Sequence, residues 1–203
     1  LPTQVHGLSR VQIDIGGRAD YAVFGTYFVY VFKNVSAPTV ARLAGTNRYT
    51  TAVEISKMGN YATGSKVVLA TGENFPDALA GAPLARALTA PILLTKPDSL
   101  PSAVEQELER LNPSTVYILG GTSAVSEDVE DAVADIANTV VRIGGSDRYQ
   151  TAAMIAERLD AESPTDIDTA FFATGENFPD ALAAGPYAST RAQPILLVKR
   201  DSI

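Results

Sequence analysis

ATGENFPDALA, at residues 70–80, recurs without a change at residues 173–183. Over the fourteen positions that begin at Ala70 and at Ala173, the copies differ only in the order of one glycine and one alanine, Gly81-Ala82 against Ala184-Gly185. An identical run of this length indicates an internal repeat rather than a coincidence of composition. The chain is therefore expected to contain two versions of one structural unit.

Residues around the first copy predict a buried strand, a loop and a helix. Val67-Val68-Leu69 is apolar and largely β-branched, which is typical of a strand buried on both faces. Thr71-Gly72 indicates the turn that ends this strand. Pro76 suits the first turn of a helix, where its missing N–H has no intrahelical partner to lose. One copy of the motif therefore predicts a strand–loop–helix connection.

The helix start in the motif is expected to depend on two polar residues. Asn74 or Phe75 occupies the capping position, and asparagine is the better capping side chain of the two. Asp77 lies in the first helical turn, where a carboxylate interacts favourably with the helix dipole. Asn177 and Asp180 hold the same positions in the second copy. These four residues are predicted to be structural parts of the repeat.

Strands and helices alternate along the whole repeat region, residues 40–203. Strands are predicted at 40–43, 66–71, 91–95 and 115–119, and helices at 48–56, 76–88, 102–111 and 126–137. Short connections between them predict an α/β fold with parallel sheets covered by helices, in a strand order that the sequence does not fix. The pattern returns at an offset of 100 for residues 141–152 and of 103 for the motif, with the extra residues in the loop at 160–168.

Three segments follow from this pattern. Residues 40–140 form a first repeat, and residues 141–203 form a second, incomplete one that lacks counterparts of the elements at 102–137. Residues 1–39 are β-rich, with predicted strands at 11–15 and 21–33 forming a hairpin. Because the second strand is apolar on both faces, these residues could end a preceding β-domain, pack on the repeats, or join chains into a homo-oligomer through residues 11–33.

The composition argues against several classes of function. The formal net charge of −7 and the pI near 4.7 argue against non-specific nucleic-acid binding, and an anionic ligand would need a local basic patch. The chain has no cysteine, and its one histidine is His6, so thiol chemistry, histidine triads and zinc clusters are not expected. The longest apolar run, residues 21–32, is too short for a membrane-spanning helix. A start at Leu1 without a signal-peptide pattern suggests a mature or excised product.

The motifs, taken in order, resemble those of a known family. They are R-[LI]-x-G-x-[ND]-R-Y-x-T-A, then ATGENFPDALA, then PILL, then YILGGTSAVS, and they cover residues 40–203. This combination resembles the type 2 cell-wall-binding repeat of Gram-positive surface proteins. The family usually carries three tandem repeats in a compact α/β module with a Toprim-like fold, whereas this chain has one full repeat and a partial one.

The resemblance implies a secreted, non-catalytic module at the cell wall or cell surface. It would anchor a surface protein, such as an S-layer protein, to an anionic polysaccharide or a teichoic-type polymer of the wall, without a cofactor. An alternative is a self-assembling surface or filament subunit in which residues 1–39 join the copies. A wall hydrolase is a third hypothesis, although no segment of these residues supplies a hydrolase domain.

Six cations are the predicted polymer contacts. Arginine presents a planar fork that suits phosphate and carboxylate groups, and lysines that follow strands lie where open α/β sheets bind ligands. An internal role competes for two of them, because Arg48 could pair with Asp77 and Arg148 with Asp180. The six residues are Arg42, Arg48, Arg142, Arg148, Lys96 and Lys199.

Paired carboxylates in the motif raise the possibility of glycosidase chemistry. Glu73 with Asp77, and Glu176 with Asp180, have the residue types that such a reaction needs. Because an active site is asymmetric, exact duplication of the pair favours a structural role instead. No nucleotide-binding, nucleophile-elbow or zinc-protease motif is present. The acidic run at residues 127–135 is expected to be a solvated helix face.

Overall fold

Two units make up the chain in the computed structural model, Leu1–Arg42 and Leu43–Ile203. The structure describes residues 9–11, 21–24, 29–32, 42–163 and 167–200. In the first unit, β1 (Ser9–Val11) pairs with β2 (Tyr21–Phe24), and β2 pairs with β3 (Val29–Phe32), both antiparallel. The prediction of a single strand over 21–33 is therefore wrong, because the run forms two strands that pair with each other. Gly25, a weak strand former, directly follows β2.

Strands and helices alternate in the second unit, as predicted. The elements of the first repeat are α1 (Arg48–Met58), β4 (Val67–Thr71), α2 (Pro76–Ala80), α3 (Ala82–Ala87), β5 (Ile92–Thr95), α4 (Ser102–Leu111), β6 (Val116–Leu119) and α5 (Glu127–Ala134). Those of the second are β7 (Val140–Ile143), α6 (Arg148–Glu162), β8 (Phe171–Thr174), α7 (Pro179–Thr190) and β9 (Ile195–Val198). The expected α/β fold with parallel strands is confirmed.

The strand order shows that one strand of the second repeat belongs to the sheet of the first repeat. One sheet has the order β5-β4-β6-β7, and a second pairs β8 with β9, all in parallel. β7 belongs to the second repeat by sequence, yet Leu119 of β6 faces Ile143 of β7 in the register. The division predicted at residue 140 thus falls within a strand that completes the sheet of the first repeat.

Two apolar cores lie on the two faces of the larger sheet. The outer core joins β4 and β6 to α1, α4 and α5 through residues such as Leu69 and Leu108. The inner core joins the opposite face to α2 and α3, and it continues into α6, α7 and the β8–β9 sheet through residues such as Leu84 and Ile155. Since the inner core draws on both repeats, burial of apolar surface holds them together.

Two predicted elements differ in the structure. Of the strand predicted at 40–43, residues 42 and 43 have no strand structure, although their counterparts in β7 pair with β6, and residues 40 and 41 lie outside the described residues. The helix predicted at 76–88 is divided at Gly81 into α2 and α3, whereas its counterpart α7 is continuous. Pro83 and Pro186 both lack the N–H that the helix ladder needs, but the first copy adds a glycine where the second has Ala184.

Candidate functional site

Each repeat positions an arginine and a tyrosine against the loop that follows its motif strand. Asn47 and Asp147 cap α1 and α6 through their side chains, so the helices begin at Arg48 and Arg148. Nη1 of Arg48 donates a hydrogen bond to the carbonyl oxygen of Gly72, and Nη1 of Arg148 donates to that of Gly175 at 2.5 Å. Both bonds connect a helix start to the first turn of the motif.

The glycine of each loop is required by close packing. A Cβ atom at Gly72 would lie 2.7 Å from Cε1 of Tyr49, and one at Gly175 would lie 2.6 Å from Cε1 of Tyr149. Only a residue without a side chain permits this approach of ring and backbone. The Arg-Tyr pair at the helix start and the Thr-Gly pair of the loop are far apart in sequence, but they recur together in both repeats because they contact each other in the fold.

The internal pairs considered from the sequence are not formed. Neither Arg48 with Asp77 nor Arg148 with Asp180 occurs as an ion pair between described residues. Asp77 instead lies near Arg148 of the other repeat, and its own burial raises its pKa while the charge of Arg148 partly offsets this rise. Asp180 is exposed. The two motif aspartates thus have different surroundings.

Phenylalanine, rather than asparagine, occupies the helix-capping position of the motif. Phe75 and Phe178 precede Pro76 and Pro179, and no side-chain hydrogen bond caps either helix, so the preference for an asparagine cap was wrong. The two rings meet edge to face, 5.7 Å apart between centroids, and the guanidinium of Arg148 lies 6.0 Å from the Phe75 centroid. A contact between repeats therefore accounts for an aromatic residue at a position that local capping would give to a polar one.

Arg142 makes several internal bonds. Its Nε and Nη2 atoms donate to Oε2 of Glu130 at 2.9 and 2.6 Å, and Nη1 donates to the carbonyl oxygens of Gly120 and Val125 at 3.1 and 2.8 Å. These bonds tie β7 to α5 and to the loop after β6, and they leave the guanidinium few free donors. Glu130, predicted to be part of a solvated face, is half-buried as its partner. Arg42 is exposed instead.

The remaining cations of the prediction are exposed beyond the ends of strands. Lys96 follows β5, and Lys199 follows β9, with Nζ of Lys199 5.3 Å from the ring centroid of Tyr149. In the first repeat the tyrosine is engaged differently, since the hydroxyl of Tyr49 donates to Oε1 of Glu73 at 2.5 Å. Burial and this bond to Glu73 raise the pKa of Tyr49. The duplicated sequence therefore gives two chemically distinct surfaces.

Sequence reasoning missed two polar clusters. In the first, Ser56 and Arg110 donate to the buried carboxylate of Glu107. Burial alone would raise the pKa of Glu107, but these bonds outweigh it and hold the pKa below its ordinary value. The Glu107–Arg110 spacing of three residues on an amphipathic helix was a weak signal of this pair.

The second missed cluster crosses the repeats. Oε2 of Glu162 lies 3.0 Å from Nζ of Lys66, and Oε1 accepts a bond of 2.9 Å from the hydroxyl of Tyr117. Arg158 lies 3.7 Å from the same carboxylate. Burial works against ionisation of Glu162, but the bonds from Lys66 and Tyr117 lower its pKa overall. None of these residues belongs to a duplicated motif, so the sequence held no signal for the contact.

Two searches of the described residues limit the chemistry. No group of three histidine, aspartate or glutamate side chains in that part of the chain has the arrangement of a metal site. None of the helices within 42–163 and 167–200 is both long and apolar enough to cross a membrane.

Comparison with solved structures supports the same fold. Cwp6 from Clostridium difficile superimposes with a TM-score of 0.76 at 35% identity, over 97% of this chain and 29% of that protein. Cwp8 from the same organism gives a TM-score of 0.72 at 36% identity, over 79% of this chain and 28% of that one. The chain thus has the α/β fold that is present in part of these two proteins.

Two of the curated relatives are longer proteins of Bacillus subtilis. The chain is 35% identical over 189 residues to an amidase enhancer, and 38% identical over 165 residues to N-acetylmuramoyl-L-alanine amidase LytC. It spans 26% and 32% of their respective lengths. The family model described as cell wall binding domain 2 matches residues 42–130 and 142–203. The chain therefore belongs to the cell wall binding domain 2 family and is a cell-wall-binding module.

Proposed function

We propose that this module binds an anionic polymer of the cell wall and thereby anchors a secreted protein at the cell surface. The observation that carries the proposal is a set of exposed cations, Arg48, Lys96 and Lys199, beyond the carboxyl ends of parallel strands. None of the three takes part in an ion pair within residues 42–163 and 167–200. Ligands of open α/β sheets commonly bind at this end of the strands.

The surroundings of each arginine indicate how free its guanidinium is to contact the polymer. Arg48 is exposed, and one of its nitrogen atoms donates to Gly72, so its other donors face solvent. Arg148 lies near the carboxylate of Asp77, and Arg142 is occupied by Glu130 and backbone carbonyls. We therefore propose Arg48, Lys96 and Lys199 as the main contacts, with the exposed Arg42 as a further one.

A non-catalytic role is part of the proposal. The carboxylate of Asp77 is buried, and Glu73 accepts a bond from Tyr49 in the first repeat, whereas Glu176 and Asp180 are exposed in the second. Two carboxylates in matched, accessible positions are the minimum for glycoside hydrolysis. The first copy does not offer this, because Asp77 is buried, and exact duplication of the pair is not expected of an asymmetric active site.

Binding to purified walls tests the proposal. Gram-positive walls carrying their anionic polymer are compared with the same walls stripped of it, at low and high ionic strength. A variant with Arg48, Lys96 and Lys199 changed to glutamine is expected to lose at least several-fold in affinity, and wild-type binding should weaken with salt. The control changes the exposed Lys57, Arg86 and Arg191 to glutamine, which removes the same charge. Equal binding to both walls, or equal loss in the control, would contradict the proposal.

Self-assembly is the second candidate, and exposed apolar side chains favour it. Phe178 just before α7, Leu182 on α7, and Ile55 and Met58 on α1 are large, apolar and exposed. If these side chains form one contiguous patch, that patch would be a surface for association. The segment predicted to join chains, residues 11–33, lies partly outside the described residues. Light scattering of the chain with and without residues 1–39 decides: an oligomer that dissociates on truncation supports assembly, and a monomer at high concentration opposes it.

A further inference from the structure

Asp77 and Arg148 lie near each other at the junction of the two repeats. Asp77 is on α2, which packs against α6, and Arg148 is the first residue of α6. The carboxylate of Asp77 lies over the backbone of Gly120, directly after β6, since a Cβ atom on Gly120 would be 2.7 Å from Oδ2. The pair is therefore at the end of the parallel strands where ligands of such sheets commonly bind.

The carboxylate of Asp77 is buried but not enclosed. It is about nine-tenths buried, and it accepts no hydrogen bond and forms no ion pair among the described residues. Every fully buried side-chain oxygen in that part of the chain has a hydrogen-bond partner, so the oxygens of Asp77, which have none, are still reached by water. This carboxylate can therefore exchange a proton with solvent in the folded state.

Arg148 has donors that its own protein does not use. Its Nη1 atom donates to the carbonyl oxygen of Gly175, and its remaining N–H groups make no hydrogen bond with described residues. The side chain is half-buried, and its guanidinium lies 6.0 Å from the ring centroid of Phe75. Nζ of Lys199 lies 5.3 Å from the ring centroid of the neighbouring Tyr149, which adds a second positive charge close by. A guanidinium with free donors suits a phosphate, sulfate or carboxylate group.

Few other charges act on Asp77. Of the elements that pack against α2, β4 and β9 contain no charged residue, and the further charged residues of α6 begin more than about two turns beyond Arg148. Burial raises the pKa of Asp77, and the charge of Arg148 partly offsets this rise. The other titratable residues on or directly beside the packed elements do not contribute to that pKa. They are Arg86, Asp147, Tyr149, Asp180, Tyr187, Arg191 and Lys199.

An anion bound to Arg148 would change the titration of Asp77. It cancels the positive charge that favours the carboxylate and adds a negative charge nearby, so burial acts unopposed and the pKa of Asp77 rises further. Because linkage is reciprocal, protonation of Asp77 strengthens the binding of the anion by the same factor. The affinity for the anion is therefore expected to increase as the pH falls towards the pKa of Asp77.

Granted that the module binds an anionic polymer, we propose that Arg148 and Asp77 form a proton-coupled anion site at the junction of the repeats. An anionic group of the polymer accepts hydrogen bonds from the free donors of Arg148, and Asp77 takes up one proton from solvent as the group binds. The site needs one residue from each repeat, so it exists only where the two repeats pack. Asp180, the second copy of the aspartate, is exposed and has no part in it.

NMR of the side-chain carboxyl carbons tests this in the full chain. The probe is sucrose octasulfate, a small polyanion whose sulfate esters stay ionised throughout the titration. The pKa of Asp77 is measured without the probe and at saturation, and Asp180 is the reference in the same spectra, because a bound polyanion acts on every carboxylate. The probe is expected to raise the pKa of Asp77 by at least about half a unit more than that of Asp180.

Variants test whether the effect depends on this pair. At pH 7, Asp77→Asn is expected to bind the probe at least about threefold more tightly than the wild type, which is the factor that corresponds to half a pKa unit. Asp180→Asn removes the same charge and should change the affinity clearly less. In an Arg148→Gln background, Asp77→Asn should have no more effect than Asp180→Asn, whereas Arg148→Lys, which keeps the charge, should retain the coupling.

Several results would overturn the proposal. They are no binding of the probe, an unchanged pKa of Asp77 in the saturated complex, an equal rise for Asp77 and Asp180, and an undiminished effect of Asp77→Asn when Arg148 is glutamine. None of these results bears on polymer binding itself, which is decided by walls with and without their polymer. If the walls show no preference but the probe raises the pKa of Asp77 selectively, the anion site is supported and its role in wall binding is not.

Discussion

Two buried carboxylates of the first repeat respond to their surroundings in opposite ways. Asp77 is about nine-tenths buried, and its carboxylate accepts no hydrogen bond from a side chain of the described residues. Burial therefore raises its pKa despite the nearby charge of Arg148. Glu107 is also buried, which by itself would raise its pKa, but bonds from Arg110 and Ser56 lower it. The hydrogen-bond donors around Glu107 therefore account for the opposite direction of its pKa shift.

Asp77→Asn is expected to leave the protein equally stable or more stable at pH 7. A carboxyl whose pKa is raised on folding binds its proton more tightly in the folded state, so its ionised form costs stability above that pKa. The difference between variant and wild type should therefore be largest near neutral pH and shrink as the pH falls towards the ordinary value of 3.8. Urea unfolding at several pH values measures it.

Asp180→Asn is the matched control, because the second copy of this aspartate is exposed. It should change stability at pH 7 by less than about 0.5 kcal/mol. If Asp77→Asn instead destabilised the protein by more than about 1 kcal/mol at pH 7, the attraction of Arg148 would outweigh the cost of burial.

At the scale of elements, the one difference between the two motifs has a packing reason. Gly81 lies between α2 and α3 beside β6, and a Cβ atom there would clash with Cδ1 of Leu119 and lie 3.1 Å from the carbonyl oxygen of Asp77. In the second copy the glycine is at Gly185, where an added Cβ atom would have no neighbour within 4 Å. The exchange of glycine and alanine therefore reflects which helix has a strand pressed against it.

The two glycines are expected to respond oppositely to alanine. Gly81→Ala should destabilise the protein by about 1–3 kcal/mol through overpacking against β6. Gly185→Ala should stabilise it by about 0.5–1 kcal/mol, because alanine restricts the unfolded chain and favours a helix interior. Urea unfolding of both variants provides the comparison. Similar effects at the two positions would show that the space around Gly81 relaxes.

At the scale of the whole second unit, contacts between the repeats are both apolar and polar. The inner core runs from the first sheet into the second, and β7 joins the sheet of the other repeat. Glu162 at the end of α6 adds a polar contact with Lys66 and Tyr117 of the first repeat. The two repeats therefore form one folded body rather than two beads on a chain.

Removal of the polar contact should weaken this union. Glu162→Ala leaves the Tyr117 hydroxyl and the Lys66 ammonium without their acceptor, at a cost of about 1–3 kcal/mol. Glu54→Ala breaks an exposed pair with Lys57 and should cost less than about 0.5 kcal/mol. Faster hydrogen exchange in β8 and β9 of the Glu162 variant alone would locate the effect at the repeat junction. Equal free energies of unfolding for the two variants would mean that the inner core alone holds the repeats together.

Much of the architecture could be predicted because its causes are local. The period of apolar residues, the turn at Thr71-Gly72 and a proline at the start of α2 depend on neighbours a few residues away, and repetition doubled each signal. The functional hypotheses drew on the same motifs. The roles of Arg142 and Arg148 could not be predicted, because Glu130 and Asp77 approach them only once the chain has packed.

The sequence by itself determined the duplication, the alternation of strands and helices, and membership of a wall-binding family. Only the tertiary structure decided that β7 completes the other repeat's sheet, that Asp77 meets Arg148 and not Arg48, and that Leu69 is buried while its counterpart Phe172 is exposed. The physical reason is that identical segments share their local preferences, whereas burial and charge pairing are set by whichever distant segment packs against each copy.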